Sequence, residues 1–310
     1  MTPAWRPWAS GRASVAAHRA RTARLALLAL IWGSGFFWIK LAVRGLSPVE
    51  VTLVRLVLGS AVLFAVVATR PGTVPRSLAT WGHIAVAALF ANAAPYLLFA
   101  LGEERVASST AGMLNATTPL WTIVIALATR HQQATSARQV AGIVVGFAGS
   151  VLIFQPWEAA GFAPAGALEC LAASASYGIS YVYMDRFLAR RGMSPVTLSA
   201  CQLLAASGWL LIALGVTGAP APRLDATVTV SIIVLGLIGT GAAYVLNYQI
   251  ITSEGATVAS TVTYLLPIVA IILGVLALNE QITVVTLAGI AIILAGVALT
   301  RRPALGHQNG

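Results

Sequence analysis

Apolar residues run along this chain in long blocks, interrupted only by short stretches rich in polar residues, glycine or proline. Ten blocks stand out, at roughly 24–43, 49–69, 78–101, 106–128, 138–154, 166–184, 196–217, 227–251, 256–278 and 284–300. Each approaches the ~20 apolar residues that carry a helix through a bilayer. Unpaired backbone groups are too costly in lipid for irregular chain, so each block is expected to be a membrane-spanning helix. The connections are short and leave no room for a separate soluble domain.

The blocks fall into two sets of five with shared punctuation. Ala141-Gly142-Ile143 followed by Ala148-Gly149 closes the first set, and Ala288-Gly289-Ile290 followed by Ala295-Gly296 closes the second. Pro119 precedes Gly142 by 23 residues and Pro267 precedes Gly289 by 22. At the front, Trp32-Gly33 leads to Ser47-Pro48, and Tyr177-Gly178 leads to Ser194-Pro195. Five is odd, so the second copy enters the membrane from the opposite side. The pattern predicts an all-α membrane protein: ten transmembrane helices as two inverted five-helix repeats around a central cavity. The expected organisation is a basic cytoplasmic tail (1–23), a first repeat (24–154), a second repeat (166–300) and a cytoplasmic tail (301–310). Inverted repeats are a common construction of secondary transporters, with the substrate between the copies near the midplane.

Composition agrees with lipid as the solvent: 58% of residues are hydrophobic, 9% are charged, and mean hydropathy is +0.85. A net charge of +10 would suit a nucleic-acid partner, but its distribution argues otherwise. With the amino terminus inside, 14 of the 19 Lys and Arg fall in cytoplasmic segments. That positive-inside bias puts both termini in the cytoplasm and makes the charge a record of topology in a multi-pass inner-membrane protein. No nucleic-acid role follows. Cys170 and Cys201 map near opposite faces, so they read as small buried hydrophobes and not as a disulfide.

Where the copies differ in polarity, an asymmetric site becomes legible. Arg55 and Gln202 each follow their Ser-Pro by the same interval, and Tyr96 aligns with Tyr244, Asn92 with Thr240, Pro95 with Ala243 and Phe99 with Asn247. Arg55 lies about 9 Å inside the second span at ~1.5 Å per residue. It serves there either as a bidentate ligand for a substrate carboxylate or as a structural or gating partner of helix-end carbonyls or an acid. Lys40 is near enough to the outer boundary to snorkel. Glu169, inside the sixth span, is the candidate proton carrier; the rival readings are an interfacial acid or a salt-bridge partner of Arg55 or Lys40. Asn92 with Pro95, Asn115 with Pro119, and Tyr264 with Pro267 mark candidate helix breaks. Such breaks are tolerable only against protein or a wet cavity, and they serve either a midplane site or packing kinks. Trp32 and Tyr177 occupy matching positions and, with Arg55, Asn92, Asn115 and Tyr264, are the candidates to line or brace the cavity. Gly142 and Gly146 form a Gly-x-x-x-Gly, read as a close helix contact or a homodimer face.

These residues resemble the EamA-type transporters of the drug/metabolite transporter superfamily, over nearly all of 24–300. The resemblance rests on Trp32-Gly33-Ser34 with Lys40, on Ser47-Pro48 with Arg55, on the proline and late glycine of each half, and on Glu280 with Gly289 nine residues on. The first half departs, carrying Gln133 where the acid would be. The resemblance implies a basket of ten helices and export of amino acids, related metabolites or amphiphilic toxic compounds, commonly proton-driven. Enzymatic chemistry is not expected: there is no His-Glu-x-x-His, no Gly-x-Ser-x-Gly and no nucleotide-binding loop. No metal or cofactor is implied. The expected partners are a small-molecule substrate and the lipid bilayer. The expectation is an exporter of small organic metabolites working by alternating access, set against an exporter of amphiphilic toxins and a passive channel or scaffold.

Overall fold

The computed structural model of the chain describes residues 8–69, 74–103, 105, 108–130, 136–154, 164–218, 221–266, 268–269 and 283–300. All regular structure among them is helical. In the first half these are α1 (Trp8–Ala42), α2 (Pro48–Ala68), α3 (Leu78–Ala88), α4 (Ala94–Glu103), α5 (Ser108–Asn115), α6 (Thr118–Ala128) and α7 (Ala137–Phe154). In the second half they are α8 (Pro164–Phe187), α9 (Pro195–Thr217), α10 (Ala226–Val234), α11 (Ala243–Glu254), α12 (Ala256–Ser260) and α13 (Val284–Thr300). Four continuous stretches are long and apolar enough to cross a membrane: Pro48–Ala68, Leu78–Phe99, Pro195–Val216 and Ala226–Glu254. The first helix starts at Trp8, well before the apolar block it serves. Pro267 and Glu280 lie outside the described residues.

The repeated Ser-Pro is a helix start. Ser47 accepts from the Glu50 amide while the Glu50 carboxylate accepts from the Ser47 amide at 2.7 Å, a capping box with Pro48 in the first turn. Ser194 likewise accepts from the Thr197 amide at 3.1 Å ahead of Pro195. A proline in the first turn gives up an amide that had no helical partner anyway, so the motif fixes where α2 and α9 begin without cost.

The third span of each half contains a widened, π-helical stretch, Leu89–Ala93 between α3 and α4 and Leu235–Ala242 between α10 and α11. In the first half Pro95 follows immediately. Its missing amide frees carbonyls one turn back, and both are taken up from the other half. Ser176 Oγ donates to Phe90 O at 2.8 Å, and the Tyr244 hydroxyl donates to Ala91 O at 2.8 Å. The fourth span breaks after Asn115, where Leu114 O accepts from Thr117 Oγ1 at 2.6 Å and from Ser174 Oγ at 2.8 Å, and α6 restarts with Pro119 in its first turn. Both first-half breaks are therefore sealed by hydroxyls, as backbone at membrane depth requires.

The halves pack by exchange. α2 lies against α9 and α7 against α13, each helix meeting its own equivalent. α4 packs on α8 and, reciprocally, α1 packs on α10 and α11. At the α7–α13 seam the backbones nearly touch: a Cβ on Gly296 would meet Gly146 N at 2.4 Å and Gly142 O at 2.6 Å. One on Gly149 would meet Gly289 O at 2.9 Å. The Gly-x-x-x-Gly of α7 is thus a close helix contact with α13 of the same chain. Large apolar residues such as Val124, Leu211, Ile212 and Leu294 face outward, while Thr118, Ser174, Gln202 and Thr240 are buried. Cys170 and Cys201 are both buried and unlinked.

Candidate functional site

A cavity of about 460 Å³ opens between the halves, within the size range of small-molecule sites. Its wall takes Trp32 and Ile39 from α1, Thr52 and Arg55 from α2, Tyr96 and Phe99 from α4, and Asn115 from α5. From the second half come Tyr177, Ser180 and Tyr181 of α8, Gly239 of the π-helical stretch, Tyr244 and Asn247 of α11, and Thr263 and Leu266. The cavity reaches Val43, Pro48, Val51 and Phe99 at one end of the bundle. Towards the other end it is closed by a packed cluster including Leu25, Leu28, Leu188, Leu198, Tyr248 and Ile251.

Arg55 is the wall's one described cation and is 8% exposed. Its Nε donates to Thr240 Oγ1 at 2.9 Å, and its guanidinium carbon stands 4.5 Å from the centre of the Tyr96 ring. The hydrogen bond and the ring face hold the group in place, the latter worth about 0.5–2 kcal/mol. No carboxylate among the described residues pairs with it, and its remaining N–H groups have no partner there. A guanidinium held this way presents an unfilled donor set to whatever enters.

The same contact exists a second time with the halves exchanged. Gln202, the repeat equivalent of Arg55, donates through Nε2 to Oδ1 of Asn92, the equivalent of Thr240, at 2.9 Å. The Tyr248 hydroxyl donates to Gln202 Oε1. This pair is neutral and sealed, with Gln202 and Asn92 both 0% exposed. The matched rings of the first helices also each meet a ring from the third span of the other half, though not at equivalent positions. Trp32 meets Tyr244 edge-on with centroids 6.2 Å apart, and its equivalent Tyr177 stacks on Phe99 at 6.0 Å.

The cavity thus gathers Trp32, Arg55, Asn115 and Tyr177 of the residues singled out by sequence. Asn92 lies behind the wall, bound to Gln202. Tyr264 lies in the seam cluster with Ile143, Ile293 and Val297, its hydroxyl donating to Ile143 O at 2.9 Å and its ring filling the space beside Gly146. Glu169 is paired with the exposed Arg105, not with Arg55, and neither it nor any other described carboxylate is on the wall. Pro95 stands beside the wall residue Tyr96; Pro119 is buried in α6 and off the wall. Tyr96, Tyr181 and Asn247 are wall residues that sequence reasoning did not select. The signal for Asn247 was available, because a phenylalanine stands at its equivalent position.

A helical bundle with a cavity between its halves, walled by aliphatic residues and six aromatic rings, suits a small-molecule transporter. The profile of the EamA-like transporter family matches residues 23–155 and 164–302, and the chain belongs to that family. It is similar to an uncharacterized transporter of Archaeoglobus fulgidus, 27% identical and covering 89% of this chain and 95% of that one. The inner membrane transporter YedA of Escherichia coli is 25% identical, with 88% and 87% covered. A "probable terminal-alkyne amino-acid exporter" of Streptantibioticus cattleyicolor is 27% identical, with 92% and 94% covered. A solved crystal structure shares the fold with a TM-score of 0.75 at 21% identity, covering 91% of this chain and 96% of that chain.

Proposed function

We propose that the protein is a secondary exporter of small organic metabolites, amino acids or related compounds, working by alternating access across the cytoplasmic membrane. In this reading the ten apolar blocks are ten transmembrane helices in two inverted repeats, with both termini inside. The reciprocal packing of α4 on α8 and of α1 on α10 and α11 supports that symmetry, since a two-fold relation between halves generates such exchanged pairs. The observation that carries the proposal is the cavity itself, with the Arg55 guanidinium on its wall between the halves and no described carboxylate against it. Val43, Pro48 and Phe99 are outer residues in the proposed topology, so this is an outward-facing arrangement. The packed inner end favours alternating access over a passive channel.

The amino-acid exporter among the relatives supports a cargo bearing a carboxylate. The aromatic wall supports a second reading, export of amphiphilic compounds. Proton coupling was expected to run through Glu169, and in this arrangement that carboxylate would first have to leave Arg105. The test is uphill flux in proteoliposomes of a compound found by comparing metabolites retained in cells with and without the protein. Flux that never exceeds equilibration under any imposed gradient refutes the exporter. Full pH-driven flux in Glu169→Gln removes that residue from coupling.

A further inference from the structure

The charge balance of the cavity narrows its cargo. Arg55 brings one positive charge to the wall, and no described wall residue brings a negative one. The carboxylates that are described have other places. Glu50 caps α2 through Ser47, Glu169 pairs with Arg105, and Asp225 accepts from the Val228 amide at 2.7 Å to cap α10. Asp185 is buried in α8, off the wall, and Glu254 closes α11. When the loaded cavity closes and sheds its water an uncompensated charge becomes costly, and the cost falls most when the loaded site is neutral. A cargo of charge −1 neutralises the site. A zwitterion brings its own cation and leaves the site at +1, and a cation raises it to +2.

A second wall group asks for something else. Asn247 is 3% exposed, lines the cavity, and its buried Oδ1 has no hydrogen-bond partner among the described residues. A buried acceptor left empty costs free energy that a donor on the cargo removes. An uncharged donor such as a hydroxyl or amide N–H fills that position without adding positive charge to a cavity that already holds Arg55. Trp32, Phe99, Tyr177 and Tyr244 supply flat apolar surface for the remainder of the molecule.

We infer that the cavity selects monoanions, each an apolar or aromatic body with one carboxylate and one uncharged hydrogen-bond donor, over zwitterions and cations of the same shape. The inference rests on the exporter reading and narrows its cargo from free amino acids, which are zwitterions, to related compounds without a free amine. It also supplies a driving force. A monoanion leaving a cell that is negative inside moves with the potential, which sustains a roughly 50-fold gradient per ~100 mV without any protonatable group on the wall.

Three probes share one aromatic body and differ in charge: N-acetylphenylalanine (−1), phenylalanine (0) and phenylalaninamide (+1 at mildly acidic pH). Binding is measured to the purified full chain in lipid nanodiscs, and flux in proteoliposomes under an imposed potassium diffusion potential. The anion is expected to bind at least about 10-fold tighter than the zwitterion, the cation weakest of all. Its efflux should accelerate when the interior is made negative. Arg55→Gln should erase the ranking, whereas Asn247→Leu should weaken the anion several-fold and keep the order. Equal binding of anion and zwitterion, no binding by any probe, or a ranking that survives Arg55→Gln overturns the inference. The parent reading fails differently. If the anion binds with the expected ranking yet never crosses, the charge selectivity stands and the exporter falls. If phenylalanine moves uphill while the anion does not, the exporter stands and the selectivity falls.

Discussion

Arg55 with Thr240, and Gln202 with Asn92, are one contact built twice from the two halves of the chain. In both, a long side chain seven residues after a Ser-Pro start reaches across to the third span of the other half. The geometry is shared and the chemistry is opposite. One pair carries a full charge onto the cavity wall; the other is neutral, capped by Tyr248 and closed to water. Duplication thus supplies two equivalent sockets, and substitution turns one into a candidate binding site and the other into a polar rivet.

That contrast is open to breakage at either socket. The largest effect is expected at Arg55→Gln, which makes the two sockets alike. Loss of charge-assisted hydrogen bonds to a bound carboxylate should cost about 2–3 kcal/mol, or roughly 100-fold in flux, in a protein that still folds and loses no more stability than the Tyr96 contact supplied. Gln202→Leu should behave in reverse. It strands Asn92 Oδ1 and the Tyr248 hydroxyl, so stability in detergent should fall by about 1–3 kcal/mol while cargo preference is kept. If Gln202→Leu changed selectivity and Arg55→Gln changed only stability, the assignment of roles would be inverted.

A double-mutant cycle addresses the neighbouring helix break. Tyr244→Phe leaves Ala91 O without its donor and should cost about 1 kcal/mol. In a Pro95→Ala background the restored amide can serve that carbonyl, so the penalty should shrink. Equal penalties in both backgrounds would mean that Tyr244 does not act through the proline-freed carbonyl. The smallest effect is expected at Asn115→Ala, a several-fold loss of cargo affinity measured by the same binding assay; an unchanged affinity removes Asn115 from the site.

Much of this was legible in the sequence, and the failures have a common cause. The internal alignment already paired Arg55 with Gln202 and Asn92 with Thr240, and it marked Trp32 and Tyr177 as matched rings. It did not reveal that these pairs cross over, because that depends on α2 lying beside the π-helical stretch of the other half. Asn92 therefore looked like a wall residue when it is a partner behind the wall. Tyr264 looked like one because a tyrosine near a proline suggests a break, whereas its ring fills the space beside Gly146 in the seam. Glu169 was judged by depth alone; Arg105, just past α4, supplies its counter-charge. The seam glycines were readable as a close contact, since identity in both copies signals backbone meeting backbone. Asn247 was passed over although its mismatch with Phe99 is the kind of asymmetry that marks the cavity.

The central claim is that the space between the halves opens to one side of the membrane at a time. Thiol labelling reads this directly in a background with Cys170 and Cys201 replaced by serine. A cysteine at Thr52, on the cavity wall, should react with an impermeant reagent from the outer face at rest. A cysteine at Leu188, buried in the closing cluster, should be protected at rest and become reactive from the cytoplasmic face only during transport. Leu188→Cys remaining silent throughout turnover, with Thr52→Cys permanently open, would contradict alternating access.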